Sequence, residues 1–316
     1  MKCLHPIFIN IDAYGLPTER NVGVPCGKCE ACLSSRSLDW QIRLLEEYKH
    51  CSSALFVTLT YDEDSVSRMW LSPDDERLKS YFGKVRVDLS RSDSVGVPIV
   101  CREDIHLFLK RLRKDNPDSN IRYFICSEYG PKTLRPHYHG FIFNLPKAKA
   151  EDSEYIAKLW SYGFVEISPV TSGRIKYATK YCFGVIDMPD FLPKNFISTS
   201  RRPALGSSYI DNVFKQWEKF HDLSELHYHK DGKNLPLPRF YLRKLKQSLP
   251  LEVSIAAFLQ YVNEEKWLDH DSIKESVERT ERIDSGSWDW YETPSESEMR
   301  SFLENFYKKY YKNRKL

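Results

Sequence analysis

The stretch "IRYFICSEYGPKTLRPHYHGFIF", residues 121–143, decides the fold because it contains two apolar strands in succession. Residues 121–128 and 135–146 are rich in aromatic and β-branched side chains, and a short loop with Gly and Pro separates them. This pattern predicts two neighbouring antiparallel strands. Residues two apart in a strand point to the same face, so His137 and His139 lie side by side in the second strand.

Two neutral imidazoles on one face can provide two ligands of a divalent metal site. Glu128 is the candidate for a third ligand, because a short connection brings its carboxylate level with His137 and His139. The alternative is a pair of surface or hydrogen-bonded histidines on an edge strand, since the His-x-His pattern is short and common. The hairpin by itself leaves both interpretations open.

The segments around the hairpin extend the prediction to a whole domain. From residue 54 the order is strand, helix, strand, strand, helix, strand, helix. The first six elements predict an α+β fold of the ferredoxin-like (split βαβ) type, an antiparallel sheet with flanking helices. The elements outside the hairpin are a strand at 54–62, a helix at 103–117, a helix at 154–163, a strand at 164–170 and a helix at 172–184.

The helix predicted at 172–184 has a packing side and, nearly opposite, a side with Tyr177, Lys180 and Tyr181. A phenol is a poor nucleophile because its pKa is about 10, but a metal that withdraws charge from phosphate and a lysine that stabilises phenolate assist it. The combination predicts phosphoryl transfer through phosphotyrosine. Packing of both rings against another element is the alternative. The packing side consists of Ile175, Ala178, Thr179 and Cys182.

Composition limits the class of protein. The chain has 316 residues, 41% apolar and 29% charged, which is typical of a globular protein with a proper core. No apolar run reaches the length of about 18 residues that a membrane helix needs, so we expect no membrane partner. The N-terminus lacks the apolar region and cleavage site of a signal peptide, which predicts a cytosolic location.

Eight cysteines are present, and three of them form the cluster "CGKCEAC". Cys26, Cys29 and Cys32 have the spacing of a zinc knuckle, and Cys3 can close a four-thiolate tetrahedron, with His5 as a substitute for it. We therefore predict structural Zn²⁺, and an iron–sulfur cluster is the alternative. Cysteines outside the cluster are expected to be thiols that act as small buried apolar residues: Cys51, Cys101, Cys126 and Cys182.

Charge is unevenly distributed along the chain. Residues 191–250 contain 11 Lys+Arg against 5 Asp+Glu, whereas residues 251–316 contain 10 against 14. A basic zone before an acidic tail fits nucleic-acid binding by the first and shielding by the second, although ordinary solvated surface is an alternative. Phosphate contacts and aromatic stacking hold single strands. The basic candidates for DNA contact are Lys110, Arg111, Arg135, Arg201 and Arg202.

Three parts of the chain are predicted. A cysteine-rich segment and helix occupy 1–50, and the catalytic core occupies 51–190. Residues 191–316 form a basic loop and a mainly helical region with an acidic tail, including a predicted helical stretch at 251–280.

Several blocks resemble a known family. "FVTLTYD", "RPHYHGFIF" and "YATKYC" resemble the three ordered motifs of HUH endonucleases, the rolling-circle replication initiators. A longer series resembles the initiators of gokushoviruses, single-stranded DNA phages of the microvirus group, from residue 1 to about 245. That series is "MKCLHP", "CGKCEACLSSRSLDWQIRL", "FLKRLRK", "EYGPKTLRPHYHGFIF", "TSRRPALGSSY" and "LPRFYLRKL".

The resemblance implies roles for the site residues. His137 and His139 would bind Mg²⁺ or Mn²⁺, and Glu128 would complete the site. Tyr177, with Lys180 three residues on, would attack DNA, giving a 5′-phosphotyrosine and a free 3′-OH for the host polymerase. Tyr181 would be a second nucleophile that allows rejoining, although Gly184 stands where relatives often repeat the lysine.

The resemblance also implies DNA contacts and partners. Thr58 and Thr60 belong to the motif that contacts DNA near the cleavage site. The implied partners are a single-stranded DNA origin and the host helicase or polymerase, in the cytoplasm of a bacterial host. The alternatives are a relaxase for plasmid or mobile-element transfer, and a catalytically silent, zinc-stabilised nucleic-acid-binding protein.

Overall fold

The computed structural model describes residues 3, 5–11, 17–79, 87–130, 133–183, 189–250 and 253. The chain folds as two compact units. One unit is Gln41–Ser208, and the other consists of the described parts of 1–40 and 209–316. Apart from Val253, the helical stretch predicted at 251–280 and the acidic tail lie outside the described residues.

The elements alternate between short strands and helices. In the described residues the strands are β1 (Ile7–Ile11), β2 (Pro17–Val24), β3 (Ala54–Tyr61), β4 (Arg68–Leu71), β5 (Val95–Pro98), β6 (Arg122–Tyr129), β7 (Pro136–Phe143), β8 (Gly163–Pro169), β9 (Ile197–Thr199), β10 (His227–Lys230) and β11 (Lys233–Pro236). The helices are α1 (Glu30–His50), α2 (Glu76–Lys79), α3 (Arg102–Lys114), α4 (Lys147–Ala150), α5 (Ser153–Trp160), α6 (Ser172–Phe183), α7 (Ile210–Phe220) and α8 (Arg239–Ser248).

The unit at 41–208 is built on a five-stranded antiparallel sheet with the order β8-β3-β7-β6-β9. The predicted hairpin is confirmed, because β6 and β7 are antiparallel neighbours at its centre. The predicted α+β class with helices around an antiparallel sheet is also confirmed.

One face of the sheet forms the main hydrophobic core. Leu55, Val57, Leu59 and Tyr61 of β3 are at most 2% exposed and point to this face. Helices α3 and α5 cover it with apolar side chains, including Trp160, whose ring centroid lies 5.3 Å from that of Tyr61. Full burial of each such side chain contributes about 1.5–3 kcal/mol. The opposite face of the sheet carries the candidate site.

Gly140 allows the two central strands to approach closely. A Cβ at this position would lie 2.7 Å from the backbone oxygen of Phe124 and 2.7 Å from Ile125 Cγ1, closer than real Cβ atoms come. A larger residue would push β7 away from β6. The glycine that follows His139 therefore sets the position of both histidines relative to Glu128.

The second unit contains two small hairpins and parts of three helices. Strands β1 and β2 pair with each other, as do β10 and β11. Tyr209, Tyr228 and Tyr241 pack together, with ring centroids 5.2 and 5.3 Å apart. The two hairpins were absent from the sequence prediction, and so was β9, because each contains short strands with little apolar alternation.

Candidate active site and metal centres

Strand register brings the three predicted catalytic metal ligands together. Glu128 of β6 lies directly opposite His137 of β7, and His139 is two residues further along β7. All three side chains share the face of the sheet that is opposite the main core. One ligand atom from each lies within 4.8 Å of the others.

The three side chains converge without binding one another. The Nε2 atoms of His137 and His139 are each 3.9 Å from Glu128 Oε2, which is too long for a hydrogen bond. The ring centroids of the histidines are 4.8 Å apart, with the rings nearly perpendicular. Two imidazole nitrogens and a carboxylate oxygen directed at one point form a donor set that fits a divalent cation.

Hydrogen bonds on the far side of each imidazole hold this orientation. His137 Nδ1 donates to the backbone carbonyl of Arg135 at 3.1 Å, so its proton is on Nδ1 and the Nε2 lone pair is free. Nδ1 of His139 is 3.0 Å from Thr58 Oγ1, and its ring stacks on Phe56. Such outer partners orient metal-binding histidines. Thr58 was predicted to contact DNA; in the structure its hydroxyl orients a histidine.

Burial tunes the ionisation of the group. The Glu128 side chain is buried, which raises the pKa of its carboxyl, and charge on His137 partly opposes this. Burial, followed by charge on His137, lowers the pKa of His139 to about 4. His139 is therefore neutral at physiological pH, the state in which an imidazole binds a metal.

A buried hydrogen-bond network on the reverse face fixes β7. The Tyr138 hydroxyl accepts from Cys101 N at 2.7 Å and is 2.7 Å from the Tyr61 hydroxyl. Tyr61 in turn donates to Asp104 Oδ2 at 2.5 Å. These bonds tie the strand that holds both histidines to the start of α3. The sequence analysis noted that Tyr138 faces away from the histidines but did not find its partners.

Helix α6 presents the two predicted nucleophiles to solvent. Its packing side is buried as expected, with Ile175, Ala178 and Thr179 at most 1% exposed. Tyr177 and Tyr181 are 51% and 42% exposed, and their ring centroids are 4.4 Å apart. Lys180 is exposed on the same helix. Partial burial, then Tyr181 and the Glu128 carboxylate, raise the pKa of Tyr177, so this phenol lies within electrostatic reach of the histidine and glutamate group.

A disulfide corrects one prediction. Cys126 and Cys182, expected to be isolated thiols, are bonded to each other. Cys126 is two residues from Glu128 in β6 and shares its face, so the bond places α6 over the face that holds the metal-ligand candidates. The sequence separation of 56 residues leaves no local signal for this pairing, which depends on the tertiary fold.

The cysteine cluster forms a second group of potential metal ligands. The sulfur atoms of Cys3, Cys26, Cys29 and Cys32 lie within 4.8 Å of one another, and two of the distances are 3.7 and 3.9 Å. Zn–S bonds of about 2.3 Å place the sulfurs of a tetrahedron about 3.8 Å apart. His5 is exposed and outside the group. The four thiols therefore fit a tetrahedral metal, as predicted from their spacing.

Backbone amides support the thiolate form of Cys26. Its sulfur accepts from the amides of Lys28 and Cys29 at 3.4 and 3.3 Å. Burial raises the pKa of Cys26, but these amides outweigh burial and lower it to about 7. Gly27, at φ 73°, provides the left-handed turn that brings the amides round.

Replacing Cys29 with serine is expected to remove bound zinc and to lower the thermal stability of the chain. A structural zinc site contributes folding free energy, and three thiolates bind the ion much more weakly than four. Metal content by elemental analysis should fall from about one zinc per chain to well below that. Cys51→Ser is the matched control, because that thiol donates to the Tyr48 carbonyl outside the cluster. Unchanged zinc content in Cys29→Ser would contradict the assignment.

The predicted DNA-contact residues fall into two groups. Arg135 binds the Glu63 carboxylate and the Tyr61 carbonyl at 2.5 and 2.6 Å, and Arg111 donates to two backbone carbonyls at the end of α5. Both guanidinium groups thus brace the fold. Lys110, Arg201 and Arg202 are exposed, and Thr60 lies between His137 and Phe164 in the sheet.

Arg201 and Arg202 line a cleft of about 680 Å³ beside β9. Arg113 stands at the same cleft with its guanidinium 5.0 Å from the Tyr123 ring centroid. The cleft is at the Arg122 end of β6, roughly 20 Å along the strand from Glu128. Cationic and aromatic groups together are typical of a surface that binds a nucleic-acid strand.

Comparison with known proteins agrees with the predicted resemblance. A sequence model of a family of replication-associated proteins, described by its ORF2 members, matches residues 98–183. The match includes the strands with Glu128 and the two histidines, and the helix with both tyrosines. The chain is similar to phage replication-associated proteins.

Three phage proteins illustrate this similarity. Replication-associated protein VP4 of Bdellovibrio phage phiMH2K is 26% identical, covering 86% of this chain and 81% of that protein. Replication-associated protein ORF2 of Spiroplasma virus 4 is 24% identical, covering 78% and 73%. Replication-associated protein ORF4 of Chlamydia phage 1 is 24% identical, covering 66% and 51%.

No solved structure matches the chain. Among the described helices, none combines the length and the apolar character needed to cross a membrane.

Proposed function

We propose that this protein initiates rolling-circle replication of a small phage genome by nicking and rejoining single-stranded DNA through a 5′-phosphotyrosine intermediate. The observation that carries the proposal is the convergence of Glu128, His137 and His139 on the sheet face that α6 covers, with Tyr177 close enough to sense the Glu128 charge. Similarity to phage replication-associated proteins supports it.

Tyr177 is the proposed first nucleophile. Its Oη attacks phosphorus, an O–P bond forms to the tyrosine, and the bond from phosphorus to the 3′ oxygen breaks. The phenolic proton passes to water, and the departing 3′ oxygen takes a proton from water, which leaves a 3′-OH. Lys180, one turn along, is proposed to stabilise the developing phenolate. Tyr181 repeats the step on the next strand, so that the first can be rejoined.

The metal-ligand candidates have distinct tasks. Mg²⁺ or Mn²⁺, when bound by Glu128, His137 and His139, would withdraw charge from the phosphate under attack. Arg135 and Thr58 hold the two imidazoles in the orientation that binding requires. The cysteine cluster is proposed to hold structural Zn²⁺, separate from the reaction.

The finer features of the fold belong to the same proposal. The order β8-β3-β7-β6, with α3 and α5 as the connecting helices, supports a ferredoxin-like core. We keep the predicted boundaries at residues 50 and 190 as a proposal for functional organisation. The proposed partners are a single-stranded origin and host helicase or polymerase, and the proposed location is the cytoplasm of a bacterial host.

The direct test is a covalent adduct. Overlapping single-stranded oligonucleotides that tile both strands of the phage genome are incubated with the protein and Mn²⁺, then denatured and resolved by electrophoresis. We expect one sequence to give an adduct that resists denaturation and a free 3′-OH fragment. Tight binding with no adduct under any divalent metal would leave a nucleic-acid-binding protein without catalysis. Origins of plasmid transfer in the same panel distinguish a relaxase.

Neutralising Arg201 and Arg202 is expected to weaken DNA binding in a salt-dependent way. Each lost phosphate contact lowers the slope of log affinity against log salt by about 0.7 for single strands, so the double alanine variant should lose about 1.4. Fluorescence anisotropy at several salt concentrations measures this. Lys147→Ala, which removes a cation that is 83% exposed on α4, is the matched control. An unchanged slope in the double variant would exclude the cleft from DNA binding.

A further inference from the structure

Phe164 breaks the polar pattern of the edge strand β8. Alternate residues of this strand face the core, where Val165 and Ile167 are partly buried against it. The other face should be polar, yet it carries Phe164 with 69% of its surface exposed. No aromatic ring or guanidinium of the described residues packs on it. Single exposed apolar residues are common, so this exposure alone does not indicate a function.

The position of Phe164 relative to the metal-ligand candidates gives the exposure its meaning. Phe164 lies opposite Thr60, Thr60 lies opposite His137, and His137 lies opposite Glu128. These four side chains form one row across four strands on one face of the sheet. With strands about 4.8 Å apart, the Phe164 and His137 positions are separated by about 10 Å.

Helix α6 lies on the other flank of this row. It packs against β6, to which the disulfide from Cys182 also ties it. A DNA strand whose phosphate reaches the metal-ligand candidates from beneath Tyr177 therefore has its continuation over β3 and β8. At a rise of about 3.4 Å per nucleotide, 10 Å corresponds to about three nucleotides.

The chemistry at β8 favours a base over a phosphate. Glu166, exposed two residues along the same face, repels phosphate, whereas a neutral base stacks on an aromatic ring. Thr60, between the ring and His137, offers a hydroxyl that is 3.4 Å from the Phe164 carbonyl and can also meet a polar edge of the substrate. Phosphate toward Glu128 and base toward β8 is an arrangement that a single nucleotide strand can satisfy.

We propose that Phe164 is a stacking platform for one base of the single-stranded DNA substrate, within about three nucleotides of the cleaved phosphate. The proposal rests on the function proposed above and assigns a positioning residue to it. It predicts that Phe164 contributes to the placement of DNA and takes no part in bond making or breaking.

The test uses the full chain and the oligonucleotide that forms the adduct. In a Tyr177→Phe, Tyr181→Phe background, 2-aminopurine is placed in turn at each position around the cleavage site. Stacking quenches its fluorescence, so one position within three nucleotides of the cleaved phosphate should be quenched on binding. Adding Phe164→Ala should abolish quenching at that position only.

Cleavage kinetics provide a second readout in the chain with both tyrosines. Phe164→Ala should raise KM about 10-fold to 100-fold, the range for loss of one base–aromatic stack, with a smaller change in kcat. Phe164→Trp should restore KM, whereas Phe164→Leu, which is apolar but not aromatic, should not. Leu89→Ala, at a side chain that is 67% exposed in the same unit, is the matched control and should have no effect.

The outcomes separate this proposal from the one on which it rests. Adduct formation by the unsubstituted chain, with KM and quenching unchanged in Phe164→Ala, overturns the stacking role and leaves the function intact. A full rescue by Phe164→Leu also overturns it, because burial of any apolar side chain would then suffice. Failure of the unsubstituted chain to form an adduct overturns both proposals.

Discussion

Replacing Tyr177 with phenylalanine is expected to reduce covalent adduct formation at least about a thousandfold, because the attacking oxygen is removed. The ring of Tyr177 is half exposed, and phenylalanine preserves its contact with Tyr181 at 4.4 Å. Folding and DNA affinity should therefore be unchanged. Denaturing electrophoresis measures the adduct, and fluorescence anisotropy measures affinity on the same preparation.

The two tyrosines make a sharper comparison than one variant alone. Tyr181→Phe should still form the first adduct but fail to rejoin the strand into a circle, and the double variant should do neither. Tyr48→Phe, at a tyrosine 40% exposed on α1, is the control for loss of an unrelated hydroxyl. If Tyr177→Phe keeps full adduct formation and Tyr181→Phe loses it, the order of the nucleophiles is reversed.

Much of the candidate site could be predicted because its spacing is local. The pair His137 and His139 follows from the two-residue period of a strand, and Glu128 follows from the short turn between β6 and β7. The helix with Tyr177 was expected at 172–184 and is observed at Ser172–Phe183. In each case a period of two or of 3.6 residues determines which side chains lie together.

Features that depend on distant contacts could not be predicted in this way. Strand β9 is three residues long and pairs with β6 about 70 residues earlier, so no local alternation marks it. The pairing of Cys126 with Cys182 has the same cause. Arg135 looked like a DNA contact because it is basic and adjacent to His137, but its guanidinium reaches across to Glu63.

Phe164 shows where pattern and function diverge. The strand "FVEISPV" was predicted from its β-branched residues, and the observed strand Gly163–Pro169 agrees. The pattern alone does not say which face of β8 is buried, because both faces carry an apolar residue. The sheet order decides this by placing β8 at an edge next to β3. Only then is Phe164 recognisable as an aromatic residue on the face with the metal-ligand candidates.

Replacing His139 with alanine is expected to lower metal-dependent cleavage by more than about 100-fold and to weaken Mn²⁺ binding to the same extent. The variant loses one of two imidazole ligands, whose Nε2 is 3.9 Å from Glu128 Oε2. Titration calorimetry with Mn²⁺ measures binding without reference to cleavage. His106→Ala, at an exposed histidine on α3, is the matched control.

A graded variant separates loss of a ligand from a general disturbance of the sheet. Thr58→Val keeps the shape of the side chain and removes only the hydroxyl that lies 3.0 Å from His139 Nδ1. Loss of such an outer partner costs about 10-fold to 100-fold in metal affinity, so Thr58→Val should be weaker than the unsubstituted chain but stronger than His139→Ala. Both variants should unfold close to the temperature of the unsubstituted chain, since the main core lies on the other face of the sheet. Cleavage that survives His139→Ala would mean that the attacked phosphate loses its charge to another group, and Tyr177 would then need a cation from outside this face.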